Sequence, residues 1–302
     1  MRKLKVGTRG SMLALRQTEI VASMLQGMHP GLDIEIVIIK TRGDKILDIP
    51  LEKIDDKGFF VKELETALLC EEIDFAVHSM KDLPSDMPDG LCIAAVPERV
   101  DPSDVLISNG PGLDDLPENS LIGCGSLRRQ AQLQEYRPDL RFGEIRGNVD
   151  TRLRKLDADE FDAVVLAYAG FHRLGWEDRV TEKIPWEICL PSVGQGALAV
   201  QSRASDEELL SLLKAIDRPE CRKAVAAERA LMQAMGGGCQ FPLGGLAVVN
   251  NQELILSGVY APEIGKPLVR SKVSGKPEDG EMLGRSLAEK LVDLQRSTNG
   301  FQ

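Results

Sequence analysis

The feature that most restricts the fold of this chain is an alternation of strand-length apolar runs with amphipathic stretches, repeated in two blocks and then abandoned. Residues 3–7 and 34–40 read as buried strands, and residues 11–28 between them carry Leu13, Ile20, Val21, Met24 and Leu25 at helical spacing. That is a βαβ beginning. A helix over 61–70, a strand over 75–78 and an apolar run over 91–96 continue the block. Pro97-Glu98-Arg99-Val100-Asp101-Pro102 then breaks the pattern with two prolines among charges, as a crossing between domains does. Strands over 104–108, 121–123, 141–145 and 163–167, with helices over 127–137 and 149–156, form the second block. Leu190-Pro191-Ser192-Val193-Gly194-Gln195-Gly196 reads as a second crossing. Beyond residue 201 come helices at 206–216 and 219–235, strands near 246–249, 253–260 and 267–273, and a closing helix over 279–294. The pattern predicts two α/β lobes around a cleft plus a smaller α+β C-terminal domain. The expected domains are residues 1–98 with 195–216, residues 99–194, and residues 217–302. A length of 302 residues suits more than one core.

Open parallel sheets place ligands at the C-terminal ends of their strands, and three such ends here carry the same residue types. Thr8-Arg9-Gly10-Ser11, Gly123-Cys124-Gly125-Ser126-Leu127-Arg128-Arg129 and Arg146-Gly147-Asn148 each join arginine and glycine to the unpaired N–H groups of a helix start. Those are the ingredients of an anion site. Any one of them reads equally as a solvated arginine near a turn; recurrence, with Arg152 and Arg173 following, favours the site. The formal net charge is −10, so the strand ends are basic on an acidic chain, and nucleic acid is disfavoured as the main partner. Arginine suggests a bidentate grip on carboxylate or phosphate, each charged hydrogen bond contributing about 1.5–3 kcal/mol.

Two further segments carry candidate chemistry. Phe75-Ala76-Val77-His78-Ser79-Met80-Lys81-Asp82-Leu83-Pro84 is a strand running into a loop, with Asp82 either an acid/base group or half of a surface ion pair with Lys81. His78 reads as a packed histidine, and Ser79 lacks the Gly-x-Ser-x-Gly elbow of a hydrolase. Gly236-Gly237-Gly238-Cys239-Gln240-Phe241-Pro242 follows an alanine-rich helix, which the glycines end. Cys239 is there either presented to a ligand or buried and inert. Six cysteines without Cys-x-x-Cys pairing or clustering with the three histidines argue against a metal site and a disulfide framework. Met1-Arg2-Lys3 leads straight into a strand, and no apolar run approaches membrane-spanning length, so the expected setting is cytoplasmic with no membrane partner. Nothing demands association, and a monomer is expected.

Taken together, these stretches resemble the porphobilinogen deaminase (hydroxymethylbilane synthase) family. The resemblance rests on Thr8-Arg9 with Gln17, Thr41-Arg42-Gly43-Asp44, Lys57-Gly58 with Phe60-Val61-Lys62-Glu63-Leu64-Glu65, and Ala76-Val77-His78-Ser79-Met80-Lys81-Asp82. It continues through Ser126-Leu127-Arg128-Arg129-Gln130, Arg146-Gly147-Asn148-Val149, Val193-Gly194-Gln195-Gly196 and Gly237-Gly238-Cys239-Gln240, all in family order. It implies an α/β fold of two periplasmic-binding-protein-like domains and a smaller α+β C-terminal domain. The implied activity is a transferase of porphyrin and heme biosynthesis, condensing four porphobilinogen molecules head to tail with loss of four ammonia. Cys239 is implied as the thioether attachment of a dipyrromethane cofactor, and Asp82 as the catalytic residue. Ser79, Lys81, Asp82, Ser126, Arg128, Arg129, Arg146 and Gln195 are implied to bind the cofactor, and Arg9, Gln17, Arg146, Arg152 and Arg173 the substrate. Lys57 and Phe60 fall in a stretch resembling the family's active-site loop. Cys124-Gly125 departs from the family's usual small hydroxyl pair, and Cys124 is expected to tolerate serine. The alternative reading is a non-catalytic two-lobed anion-binding or sensor module, which explains the arginines but neither Asp82 nor the glycine-framed Cys239.

Overall fold

A computed structural model describes residues 3–41, 61–237 and 241–299. Lys57, Phe60 and Cys239 lie outside the described residues. The elements in chain order are β1 (Leu4–Thr8), α1 (Met12–Met28), β2 (Ile34–Ile38), α2 (Lys62–Leu69), β3 (Phe75–Ser79) and β4 (Leu91–Ala95). There follow β5 (Asp104–Ser108), β6 (Leu121–Gly123), α3 (Leu127–Tyr136), β7 (Arg141–Gly143), α4 (Val149–Asp157), β8 (Ala163–Ala167), α5 (Tyr168–Leu174) and β9 (Glu182–Lys183). The chain ends with β10 (Leu198–Arg203), α6 (Glu207–Leu213), α7 (Pro219–Ala234), β11 (Leu243–Asn250), β12 (Glu253–Tyr260), β13 (Val269–Gly275) and α8 (Gly280–Asn299).

Two compact units result, one of Met1–Arg99 with Ala197–Arg222 and the other of Val100–Gly196 with Lys223–Gln302. The first holds a sheet of order β2-β1-β3-β10-β4, in which β1 runs parallel to β2 and β3 while β10 is antiparallel to both its neighbours. Ser11 caps α1 by accepting from the Ala14 N–H at 3.3 Å, and Val21 and Leu25 then pack with Leu4, Val6 and Phe75. The second unit repeats the plan as β7-β6-β8-β5-β9, with β6 parallel to β7 and β8, and β5 antiparallel to β8 and β9. In both sheets the antiparallel strand begins soon after a proline- or glycine-marked crossing. Its first residue therefore lands at the edge where the parallel strands end. Leu198 faces Ser79, and Asp104 faces Ala167.

The second unit also contains the antiparallel sheet β11-β12-β13, whose core joins Ala227 and Leu231 of α7 to Leu254, Leu256, Leu287 and Leu291. Sequence reading had missed β10, because Leu-Ala-Val-Gln-Ser-Arg is short and only half apolar; pairing on both sides with β3 and β4 makes it a strand. It also missed α5, which follows β8 with no turn residue to announce it.

Helix α8 approaches α7 at Gly284, where a Cβ would stand 2.7 Å from both the Ala230 Cβ and the Leu231 backbone nitrogen. Gly284→Val should cost about 1–3 kcal/mol in urea unfolding, the overpacking penalty exceeding the roughly 1 kcal/mol that leaving glycine contributes to helix propensity. An unchanged midpoint would contradict this packing.

Candidate functional site

In the first unit the sheet edge assembles Arg9, Gln17, Ser79, Lys81 and Asp82. Arg9 immediately follows β1. Gln17 of α1 is buried and donates from Nε2 to the Ser79 Oγ at 2.9 Å, fastening the helix to the end of β3. The chain then makes a 3-10 turn over Met80–Asp82, whose Met80 N–H donates to the Ala197 carbonyl at 3.0 Å. Met80 and Leu83 are buried on either side, so the exposed Asp82 carboxylate projects from a turn anchored at both ends. His78 is buried one residue before Ser79. Burial is the main reason its pKa falls to about 4, with the Arg9 charge adding to the shift. His78 is thus a packed neutral histidine at pH 7, as its sequence setting predicted.

In the second unit the same edge holds Ser126, Arg128, Arg129, Arg146, Arg152, Arg173 and Gln195. Asp104, the first residue of β5, is fully buried at this edge. Its Oδ2 accepts from Arg128 Nη1 at 2.7 Å, and its Oδ1 accepts from Arg129 Nε at 2.9 Å and Nη2 at 2.8 Å and from Gln195 Nε2 at 2.8 Å. Burial alone would raise the Asp104 pKa, but the two guanidinium charges and their hydrogen bonds hold it well below the usual carboxylate range. Arg128 Nη1 also donates to the Leu190 carbonyl at 2.6 Å, and Arg129 Nη1 to the Val165 carbonyl at 3.1 Å. Cys189 is buried beside them, and burial pushes its thiol pKa up, so it contributes no charge.

The remaining arginines lie around this core. Arg152 donates from Nε to the Gly147 carbonyl at 2.8 Å, and among the described residues no carboxylate pairs with it. Burial, then the charges of Arg129 and Arg146, lowers its pKa to about 10. Burial likewise lowers Arg173 to about 10, where Nη2 donates to the Gly196 carbonyl at 2.6 Å. Arg146 donates from Nε to Glu144 at 2.6 Å. Both arginines with lowered pKa values remain charged at pH 7, and a desolvated cation attracts an anion strongly. Ser126 and Asn148 begin α3 and α4 without a side-chain capping bond. Their first-turn N–H groups add two more anion-facing helix starts. Gly125 lies so close to the Ile145 carbonyl that a Cβ would stand 2.7 Å from it, with the Arg152 guanidinium next nearest. The departure from the family's hydroxyl pair thus coincides with a backbone approach that leaves no room for a side chain. Cys124 is buried and its Sγ donates to the Ser126 carbonyl at 3.4 Å, a bond a serine hydroxyl can also make.

The helix leading towards Cys239 is closed at its C-terminal end. Gly236 and Gly237 close α7 with φ of 88° and 93°, and the Gly237 N–H reaches back to the Met232 carbonyl at 3.0 Å. After the undescribed residues, Phe241 packs edge-on against Tyr260, and the Pro242 carbonyl accepts from the Ala261 N–H at 3.0 Å. Two carboxylates escaped sequence reading. One is Asp104. The other is Glu228 of α7, fully buried and accepting from the Gly194 N–H at 2.6 Å and the Ala247 N–H at 2.8 Å. Each had a signal: an acid opening an otherwise apolar strand, and an acid among the alanines of a helix core face.

Each unit gathers polar and cationic side chains at a sheet edge, and a helix in the second leads towards a glycine-framed cysteine; these are features of an anion-binding protein. The family model described as porphobilinogen deaminase, dipyromethane cofactor binding domain, matches residues 4–211, and that of the porphobilinogen deaminase C-terminal domain matches residues 222–293. The chain is 53% identical to the porphobilinogen deaminase of Pelotomaculum thermopropionicum over 97% of this chain and 94% of that one. It is 51% identical to that of Desulforudis audaxviator, over 97% and 95%, and 49% identical to that of Nostoc sp., over 96% and 91%. Among solved structures it is similar to the periplasmic VFT2 domain of Bordetella pertussis BvgS, at 16% identity and a TM-score of 0.41, over 70% of this chain and 86% of that one. The chain belongs to the porphobilinogen deaminase family. The non-catalytic anion-binding reading is not favoured.

Two outcomes are expected from these side chains. A base whose folded pKa lies below its unfolded value of about 6.5 keeps its full contribution above that pH and loses stability as pH falls from there to about 4. Wild-type protein should therefore lose on the order of 3 kcal/mol across that window through His78, and His78→Gln should flatten this limb of the unfolding free energy against pH. Cys124→Ser should change the unfolding free energy by less than about 1 kcal/mol and leave turnover near wild type, a larger loss of either contradicting a purely packing role.

Proposed function

We propose the residue roles by which this family member condenses four porphobilinogen molecules head to tail to the linear tetrapyrrole hydroxymethylbilane, releasing four ammonia. The observation that carries the assignment is the desolvated arginine cluster at the second unit's sheet edge, in a chain whose matched domain binds a dipyrromethane. Each pyrrole bears an acetate and a propionate, and buried cations fit those groups. Ser126, Arg128, Arg129, Arg146 and Gln195, with Ser79, Lys81 and Asp82, hold the cofactor, which Cys239 tethers through a thioether. When bound, the dipyrromethane supplies the nucleophilic pyrrole carbon on which the chain grows.

Arg9, Gln17, Arg146, Arg152 and Arg173 take the carboxylates of incoming porphobilinogen. Loss of ammonia leaves positive charge on the substrate's methylene and pyrrole, and the Asp82 carboxylate stabilises it. Asp82 also accepts hydrogen bonds from pyrrole N–H groups and takes the proton lost from the attacking pyrrole α-carbon. Its anchored turn holds it to position, which matters because a displacement of about 1 Å can cost on the order of 100-fold. Lys57 and Phe60 are assigned to the active-site loop that the family resemblance implies.

We further propose three domains, residues 1–98 with 195–216, residues 99–194, and residues 217–302, supported by three sheets with separate cores. The protein acts as a cytoplasmic monomer without a nucleic-acid partner, which its net charge of −10 favours. Among the described residues no helix is long and apolar enough to cross a membrane.

Intact mass decides the tether. Denatured wild-type protein should exceed the polypeptide mass by one dipyrromethane, and Cys239→Ser should not; bare mass in active wild type rules the tether out. Asp82→Glu should retain the cofactor while turnover falls roughly 100-fold. Near-normal turnover would remove Asp82 from the chemistry. Arg146→Glu should prevent stable loading, and a fully loaded variant would remove Arg146 from the cofactor site.

A further inference from the structure

We propose that Asp104 is a positioning residue for cofactor capture, acting through Arg128, Arg129 and Gln195 and touching no ligand itself. This rests on the reading above that those residues hold the dipyrromethane. Its evidence is geometric. One fully buried carboxylate receives Arg128 on one oxygen and Arg129 and Gln195 on the other, at 2.7–2.9 Å. Arg129 has Nε, Nη1 and Nη2 all engaged, by Asp104 and the Val165 carbonyl, so its plane has no freedom to turn. Among the described residues Arg128 is engaged only at Nη1, by Asp104 and the Leu190 carbonyl, with a longer 3.5 Å approach to the Cys189 sulfur. Its Nε–H and Nη2 protons make no bond in this network, and Asp104 fixes the direction in which they point.

The charges make the arrangement directional. Two guanidinium groups and one carboxylate leave a single net positive charge in a buried pocket, and the Cys189 thiol is held neutral there. An anion arriving at the edge thus meets an oriented, partly neutralised fork. Without the Asp104 charge, the same pocket holds two cations that repel each other and turn apart. Lowered melting temperature is the expected signature of a structural role. Slower cofactor capture by protein that remains folded is the signature of positioning.

The test uses full-length protein produced in a host that makes no porphobilinogen, with porphobilinogen then added and the gain in intact mass followed over time. For the folded, monodisperse fraction of Asp104→Asn, loading should slow by about tenfold or more, the factor that one misdirected charged hydrogen bond represents. The double variant Asp104→Asn/Arg128→Met should lose less than the two single losses combined, because Asp104 then has less to orient. Wild-type loading by folded Asp104→Asn, or fully additive losses in the double variant, overturns the proposal. If Asp104→Asn does not fold, the charge-balanced pair Asp104→Asn/Arg129→Met decides: it should load more slowly than Arg129→Met alone, and equal rates overturn the proposal. Arg128→Met and Arg129→Met also separate the two readings. If both load at the wild-type rate, the assignment of these arginines to the cofactor fails, whatever Asp104 does.

Discussion

Burying a carboxylate completely is unfavourable unless its charge is matched and its lone pairs are filled, and Asp104 meets both conditions with two arginines and a glutamine. Each requirement reaches into a different part of the second unit. The arginines come from the first turn of α3, Gln195 from the second crossing, and Asp104 from the start of β5. The helix start, the crossing and the sheet edge are therefore held in one place by a single ionised group. An acidic residue here does more for a carboxylate-binding site than another cation would. It lets two guanidinium groups sit side by side at 5% and 6% exposure while their sum stays positive.

The segment from Cys189 to Gly196 carries this order towards the C-terminal sheet. Leu190 is fastened to α3 by Arg128 and by a reciprocal pair of bonds with Gln132 at 2.9 and 3.2 Å. The Pro191 carbonyl accepts from the Gly245 N–H at 2.9 Å, and the Gly194 N–H donates to Glu228. Glu228 in turn holds Ala247 of β11 and sits two turns before the glycines that close α7. A second buried carboxylate thus ties the crossing to the helix that precedes Cys239 in sequence. Satisfied buried polar networks of this kind fix geometry more firmly than apolar packing does, because no alternative arrangement pairs every group.

Much of this was legible without coordinates. The βα alternation, both crossings and the α+β ending came from hydrophobic period and from proline and glycine, since these signals are local. The same holds for the end of α7, where positive φ at Gly236 and Gly237 is a demand that glycine meets by lacking a Cβ. Arg9, Arg128, Arg129 and Arg146 stood out because each lies beside a strand end and a helix start. Asp104 does not stand out in the sequence because it opens a strand, whereas ligands gather where parallel strands finish. Its direction in the sheet, antiparallel to β8, is a matter of pairing between segments far apart in sequence.

What the sequence alone determined, then, is the local grammar: which stretches are strands and helices, where they stop, and which residue types stand at the stops. The tertiary structure decided which of those residues meet. It turned β5 and β10 so that their first residues join the edge where their neighbours end, and it brought Asp104 to arginines 24 and 25 positions away. It also separated His78, one residue from Ser79, into the core as a neutral ring. The physical reason is the same in each case. Periodicity and backbone preference act within a few residues, whereas charge matching and burial are settled only when distant segments share one dry volume.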